Sequence, residues 1–494
     1  MMDKTYDQHT SGKVDSDIEK LIEPSTAKGT ESVAARFRKA RKRYNIPLLL
    51  MMTVLVVFGL IVLYSVSGPD AYGLYQDSAF FLKRQLAFTI AGYVICLVIS
   101  FFPVKFFETK AVTLAAAGGS LGLIILTMLF GENYNGAKRW ITIGPIDFQS
   151  SEVVKVALIL AFAGYCSARA RMRAKYARRK DGKKEKLLTQ AFFDFILPVG
   201  AAILVDIFIL AQPHVSCFII VALIVFICTL SAGIPLRSWV IGGLILGLVG
   251  AVGIVMALLI LPEEKMESIR RNYTHVFKRV EIYSEDESST LTKDDTRQVD
   301  NAHNALGSGG MWGVGIGNSR SKYNYVSEAQ NDYIFSIYVE ETGFIGGLVL
   351  ILMFLVFFVM CVTVVLKANT PYTRILSAGC TALIFVEFLL NLSVELQIIP
   401  STGVTLPFFS YGGTAQVTLL AAMGFILCVS RSTLPQEQKE EEAIEEVIPE
   451  EAAPAAPKLS AAAAAPVQVR AQQTNIPATD RRPAPASARK KIKR

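Results

Sequence analysis

The stretch Ile46-Pro47-Leu48-Leu49-Leu50-Met51-Met52-Thr53-Val54-Leu55-Val56-Val57-Phe58-Gly59-Leu60-Ile61-Val62-Leu63-Tyr64-Ser65-Val66 carries no charged side chain. A helix of about 20 such residues matches the roughly 30 Å hydrocarbon core of a bilayer. Working outward, nine further apolar runs of similar length follow, at roughly 85–103, 111–130, 151–168, 192–212, 215–234, 239–261, 343–366, 374–393 and 414–430. The 494 residues are 52% hydrophobic, more than a soluble domain of this size usually carries. A soluble helical core would need helices with a polar stripe, and these runs lack one. The fold class read from the sequence is therefore an all-α polytopic membrane protein with about ten transmembrane helices.

Lysine and arginine in the short loops set the orientation. Arg36, Arg38, Lys39, Arg41, Lys42 and Arg43 precede the first span. Residues 169–186, between spans four and five, hold a second basic run opposed by Asp181 and Glu185. Lys105, Lys110, Arg237, Lys367 and Arg374 occupy the other loops of that side. All fall together if the N- and C-termini are cytoplasmic. A largely polar stretch of more than 40 residues before the first apolar run argues against a signal peptide.

The formal net charge of +8 then reads as basic loops beside anionic headgroups, and nothing in its arrangement suggests nucleic acid. Seven cysteines lie in or at the ends of apolar runs without a CxxC pair, so they read as small core residues rather than as disulfides or zinc ligands.

The chain divides into a disordered basic arm (1–44), a ten-span membrane domain (45–431) and a low-complexity tail (432–494) that passes from acidic to Ala/Pro-rich to basic. Within the membrane domain, residues 262–332 form one long outer loop between spans seven and eight. Its second half, Gly307-Ser308-Gly309-Gly310-Met311-Trp312-Gly313-Val314-Gly315-Ile316-Gly317-Asn318, argues for a packed loop rather than a linker.

Ionisable groups inside spans are costly and mark paired or functional positions. Glu152 and Lys155 are three apart at the start of span four, on one helix face, where they can pair. Asp206 lies in the outer half of span five, Glu387 inside span nine, and Glu340 and Glu341 begin span eight. His214 reads as a turn residue. Three outer segments are polar or glycine-rich at the same membrane boundary: 135–152, 325–335 and 402–414. Irregular backbone at that depth needs surrounding protein or a water-filled cavity. Together they suggest an outward-facing cavity holding cations (Lys138, Arg139), carboxylates (Glu328, Asp332) and glycine amides. Such a cavity suits an anionic lipid-linked substrate, with cations on a pyrophosphate and a carboxylate as general base.

These segments resemble the SEDS family, the FtsW, RodA and SpoVE proteins of bacterial cell-wall synthesis. The resemblance rests on three motifs in order. The first is Gly136-Ala137-Lys138-Arg139-Trp140-Ile141 with Phe148-Gln149-Ser150-Ser151-Glu152 and Lys155. The second runs from Gly313 through Asn318, Ser319 and Lys322 to Glu328-Ala329-Gln330-Asn331-Asp332-Tyr333-Ile334-Phe335. The third is Thr402-Gly403-Val404-Thr405-Leu406-Pro407-Phe408-Phe409-Ser410-Tyr411-Gly412-Gly413. Ser150, Ser327 and Gln330 depart from the family's pattern, as do Val339, Thr342, Arg297-Gln298 and His214-Val215-Ser216.

The resemblance implies a peptidoglycan glycosyltransferase that polymerises lipid II at the outer face of the bacterial cytoplasmic membrane, for cell division or shape. It implies that Asp332 takes the proton from the acceptor 4-hydroxyl. Lys138 and Arg139 match basic positions for a pyrophosphate, and Lys322, Glu328, Ser410, Gly412 and Gly413 are further substrate-binding candidates. Glu152 and Lys155 match a pair that is structural near the cavity. The implied partners are lipid II and the growing glycan on undecaprenyl pyrophosphate, a class B penicillin-binding protein (a transpeptidase), other division or elongation proteins and membrane lipids. A divalent cation is the one cofactor to consider, although no metal-ligand spacing is visible. The long tails lean toward an FtsW-like division protein. A lipid II flippase or transporter, or a membrane scaffold for a transpeptidase, are the alternatives.

Overall fold

The computed structural model describes residues 45–134, 137–144, 146–177, 185–274, 293–323, 326 and 329–432. The N-terminal arm, most of the tail, the acidic stretch 285–287 and Glu328 lie outside the described residues. All that is described belongs to the first of two compact units, Met1–Pro435; the second is Gln436–Arg494.

Among the described residues nine helices are long and apolar enough to cross a membrane, and a tenth apolar helix is shorter. They are α1 (Ile46–Tyr75), α2 (Phe80–Phe101), α4 (Lys110–Phe130), α5 (Ser150–Ala177), α6 (Leu187–Leu210), α7 (Val215–Ser231), α8 (Leu236–Ile260), α11 (Ile334–Leu366), α12 (Pro371–Glu395) and α13 (Gly413–Ser432). The short one, α7, has 17 residues and a length of about 26 Å. Three minor helices complete the set: α3 (Val104–Phe107), α9 (Glu263–Asn272) and α10 (Lys293–Ser308).

Local chemistry explains many boundaries. The Asn45 side chain accepts from Leu48 N at 3.2 Å, with Pro47 in the first turn of α1. Thr370 and Thr373 form a reciprocal capping box at α12. Several helices outrun their apolar cores. α5 continues through the basic run to Ala177, and α11 starts at Ile334, nine residues before the apolar run expected at 343. Helical hydrogen bonding does not stop where hydrophobicity does.

One element is absent from the sequence reading. Between α4 and α5 the chain forms an antiparallel meander, β1 (Glu132–Tyr134), β2 (Ala137–Ile143) and β3 (Ile146–Gln149). Trp140 pairs with Gln149, Ile141 with Phe148 and Thr142 with Asp147. Short strands with polar tips leave little period to read.

Helices α12, α13 and α5 are the most enclosed, and α8 the least. α2 lies tightly along α13. A Cβ on Gly424 would come within 2.7 Å of the Cys96 carbonyl, and one on Gly92 within 2.6 Å of Leu420. Small residues allow such close backbone approach where lipid offers no hydrophobic drive for packing. All seven cysteines are free and buried.

The two ends of the bundle differ. At one, Arg171 and Ser167 bond Glu108, Arg169 bonds Asp194 (2.9 Å) and Glu185 (3.1 Å), and Arg173 reaches Asp194 at 3.0 Å. Arg431 Nη2 donates to the Phe101 carbonyl at 2.6 Å. The basic loops therefore do gather on one side. The sheet and the three motif segments gather at the other.

Candidate active site

Asp332 lies in the turn just before α11, half-buried. Its backbone carbonyl accepts from Asn391 Nδ2 at 2.9 Å, and the same nitrogen donates to the Val404 carbonyl at 2.9 Å. Tyr411 N donates to the Gln330 carbonyl at 2.8 Å. The second and third motifs, far apart in sequence, thus meet beside Asp332.

The segment 402–414 is built from irregular backbone. Phe408 and Gly403 have φ of 68° each, in the left-handed region. The Phe408 carbonyl lies where a Cβ on Gly59 of α1 would be only 2.2 Å away, so glycine is required there. Ser410 faces inward: its Oγ accepts from Leu406 N at 2.8 Å. Gln85 of α2 reads both sides of the turn, donating from Nε2 to the Ser410 carbonyl (3.2 Å) and accepting from Gly412 N (3.2 Å). Gly413 abuts the Phe88 ring, 2.5 Å from where its Cβ would sit. Partial burial pushes the Tyr411 phenol above its ordinary pKa, which keeps it a neutral hydrogen-bonding group at neutral pH.

The glycine-rich segment docks into a break in α11. Gly343 has φ 74° and ψ −177°, which opens the helix. Val314 N and Gly315 N donate to the Glu340 and Glu341 carbonyls, each at 3.0 Å, while Phe344 N and Ile345 N donate back to Gly310 and Met311. A Cβ on Gly313 would stand 2.2 Å from the Glu341 carbonyl. Both acidic side chains hold the same loop. Glu340 accepts from Ser319 Oγ (2.5 Å) and Arg320 N (3.1 Å). Glu341 takes Lys322 Nζ at 2.8 Å and Ser65 Oγ at 2.7 Å. Lys322, 3% exposed, is therefore engaged in a buried ion pair.

Lys138 and Arg139 sit on β2. Lys138 is exposed. Arg139 is half-buried and bonds the carbonyls of Gln212 (3.2 Å) and Pro213, pinning the turn between α6 and α7 next to His214. Gln212 in turn donates to the Ile124 carbonyl at 3.2 Å. Thr414 joins the sheet to the third motif: its Oγ1 accepts from Gln149 N (3.3 Å) and donates to the Asp147 carbonyl (3.2 Å).

Below this layer lies a buried charge cluster. Lys155 Nζ bonds Glu152 Oε1 at 2.8 Å and Glu387 Oε1 of α12. Glu387 Oε2 and Asp206 Oδ1 are buried without a hydrogen-bond partner. The i,i+3 spacing revealed half of this cluster; the partner on α12 comes from the fold alone.

Sequence reasoning passed over Gln85, Asn391 and Glu395. The last two are four apart at the outer end of α12, a spacing that marks one helix face. Glu395 fell outside the apolar run that ended at 393. Among the described residues no group of three or more His, Cys, Asp or Glu side chains is placed to hold a metal ion.

Comparison with known proteins agrees with this architecture. The family model of the FtsW/RodA/SpoVE cell cycle proteins matches residues 46–434. Stage V sporulation protein E of Bacillus subtilis (strain 168) is 30% identical over 384 residues, 78% of this chain and 96% of that protein. The probable peptidoglycan glycosyltransferase FtsW of the same organism is 30% identical over 417 residues, 81% and 94% of the two chains. Among solved structures, a chain of a peptidoglycan synthase complex superposes with a TM-score of 0.59 at 23% identity, covering 79% of this chain and 98% of that one. The rod shape determining protein RodA of Thermus thermophilus superposes at 0.52, also at 23% identity, covering 79% and 98%. The chain belongs to the FtsW/RodA/SpoVE family.

Proposed function

We propose that this protein is a peptidoglycan glycosyltransferase that polymerises lipid II into glycan strands at the outer face of the bacterial cytoplasmic membrane. The observation that carries the reading is Asp332. It is a half-buried carboxylate whose backbone is tied to α12, at the end of the bundle opposite the basic loops, where three motif segments converge.

In this reading Asp332 accepts the proton of the acceptor sugar's 4-hydroxyl. The freed oxygen attacks the anomeric carbon of the growing glycan, and undecaprenyl pyrophosphate departs with the bonding pair. One displacement turns an α-linked donor into a β-linked product. Lys138, exposed on β2, offers charge to the pyrophosphate. Arg139 fixes that strand against the 212–213 turn. The turn at Ser410, Gly412 and Gly413 shapes the wall, held by Gln85. Lys322 acts through Glu341 to hold the glycine-rich segment. Glu152 and Lys155 support the floor.

A class B penicillin-binding protein is the proposed partner. This is supported by the solved relative described as coordinating polymerization and crosslinking in a peptidoglycan synthase complex. Lipid II, the glycan product and membrane lipids complete the set, with a role in division or shape. The buried cluster of Glu152, Lys155 and Glu387 gives a second reading, lipid II transport, its specific support.

The test uses purified protein with lipid II in detergent, with and without its transpeptidase. Wild type is expected to make glycan polymer, and Asp332→Asn to lose about 100-fold to 10,000-fold of that rate. Polymer from the Asn variant at the wild-type level would overturn the base assignment. A folded wild type that makes none, yet moves lipid II across vesicles, would favour transport.

A further inference from the structure

One turn of α12 holds the chain at Asp332 and just after it. Asn391 and Glu395 are four apart and project from one face of that helix. The Asn391 amide donates from a single nitrogen to the carbonyls of Asp332 and Val404. Two carbonyls on that nitrogen fix the orientation of the amide, since only its NH2 end donates. Glu395 takes the peptides that follow. Its carboxylate accepts from Phe335 N at 3.1 Å, Ser336 N at 2.9 Å and the Ser336 hydroxyl.

Those amides belong to the first turn of α11, whose N-cap residue, Tyr333, makes no side-chain cap bond. First-turn N–H groups have no partner within their own helix. A carboxylate from a neighbouring helix therefore does what an N-cap side chain ordinarily does, with the sign that the helix dipole favours. Asn391 and Glu395 are 1% and 2% exposed, so bulk water does not compete for these bonds.

We propose that Asn391 and Glu395 are positioning residues for Asp332, aiming its carboxylate at the acceptor hydroxyl. The proposal rests on the polymerase reading above. A cap that served only stability would suit any helix start. Here the bonds fall on the carbonyl of the base itself and on the third and fourth residues from it. Asn391 also ties Asp332 to the loop whose Ser410 and Gly412 form the facing wall, so base and wall share one reference point. Neither residue touches the reacting atoms; Asn391 acts through the Asp332 carbonyl and Glu395 through the first turn of α11 that follows it. Loosening the first turn of α11 rotates the peptide that carries the base, and a displacement of about 1 Å costs on the order of 100-fold in rate.

The test compares full-length wild type with Glu395→Gln, Glu395→Ala, Asn391→Ala and Ser336→Ala, each with the transpeptidase partner. A lipid II concentration series gives kcat and KM separately, and a thermal transition in detergent reports folding. Glu395→Ala and Asn391→Ala are expected to lower kcat by roughly 100-fold with KM nearly unchanged. Glu395→Gln, which keeps one acceptor oxygen, recovers part of the loss, and Ser336→Ala loses least. If Glu395→Ala does not fold, Glu395→Gln and Ser336→Ala decide by the same split. Wild-type kcat in folded Glu395→Gln and Asn391→Ala, or a loss confined to KM, would overturn the proposal. The two readings fail separately. A folded but inactive wild type removes the polymerase reading. An active wild type, an inactive Asp332→Asn and unaffected Glu395 and Asn391 variants remove the positioning role alone.

Discussion

Helices α12 and α8 are both apolar and 25 residues long, yet one is sealed inside the protein and the other is nearly bare. On α12 only a few side chains, such as Leu389, reach the surface. On α8 only Ser238 and Gly242 are buried, near Phe195 and Trp239, and residues 251–260 are all exposed. Lipid tails are as apolar as leucine, so hydrophobicity places both helices in the membrane and says nothing about which is central. What separates them is polar content. α12 carries Glu387, Asn391 and Glu395, each of which needs a protein partner at that depth. α8 is apolar from Trp239 onward and needs none.

That contrast predicts a graded response to substitution. The largest effect is expected at the charge that ties α12 to α5. Lys155→Ala leaves Glu152 and Glu387 buried without their cation, a change worth about 3–5 kcal/mol of stability. It should appear as a lower unfolding midpoint in detergent, and adding Glu387→Gln should restore part of it. No change in midpoint would mean that water reaches this cluster. A smaller effect is expected from crowding. Gly379 of α12 has Ile159 and Cys228 side-chain atoms 2.6 and 2.8 Å from where a Cβ would stand. Gly379→Ala should cost about 1–3 kcal/mol in the same assay. The smallest is expected on α8, where Gly250 has nothing within 4 Å of a Cβ position. Gly250→Ala should be neutral or stabilising by up to about 1 kcal/mol, since alanine is the better helix former. A clear loss there would show that α8 packs against protein in the working state.

The same contrast explains what was legible beforehand. Solvent-level facts, such as the apolar runs and the side on which lysine and arginine collect, are written locally and were readable residue by residue. So was the Glu152–Lys155 pair, because i and i+3 share a helix face. Glu387 joins that pair only when α5 and α12 pack, and Gln85 meets Ser410 and Gly412 across more than 300 positions of sequence. The meander at 132–149 escaped for a different reason: its strands are too short to show alternation. Lys322 and Arg139 were legible as cations, but their carboxylate and carbonyl partners are supplied by the fold.

The buried triad also has a consequence in time. Glu387 is 232 residues downstream of Lys155. At roughly 5–20 residues per second, a ribosome needs on the order of 10–50 s to make that interval. Throughout that interval the long-range partner of Lys155 does not yet exist. Glu152, one turn away on the same helix, is synthesised with it and can act as an interim counter-ion. The local pair gives α5 a counter-ion of its own, and the distant carboxylate then locks it to α12 once that helix has been made.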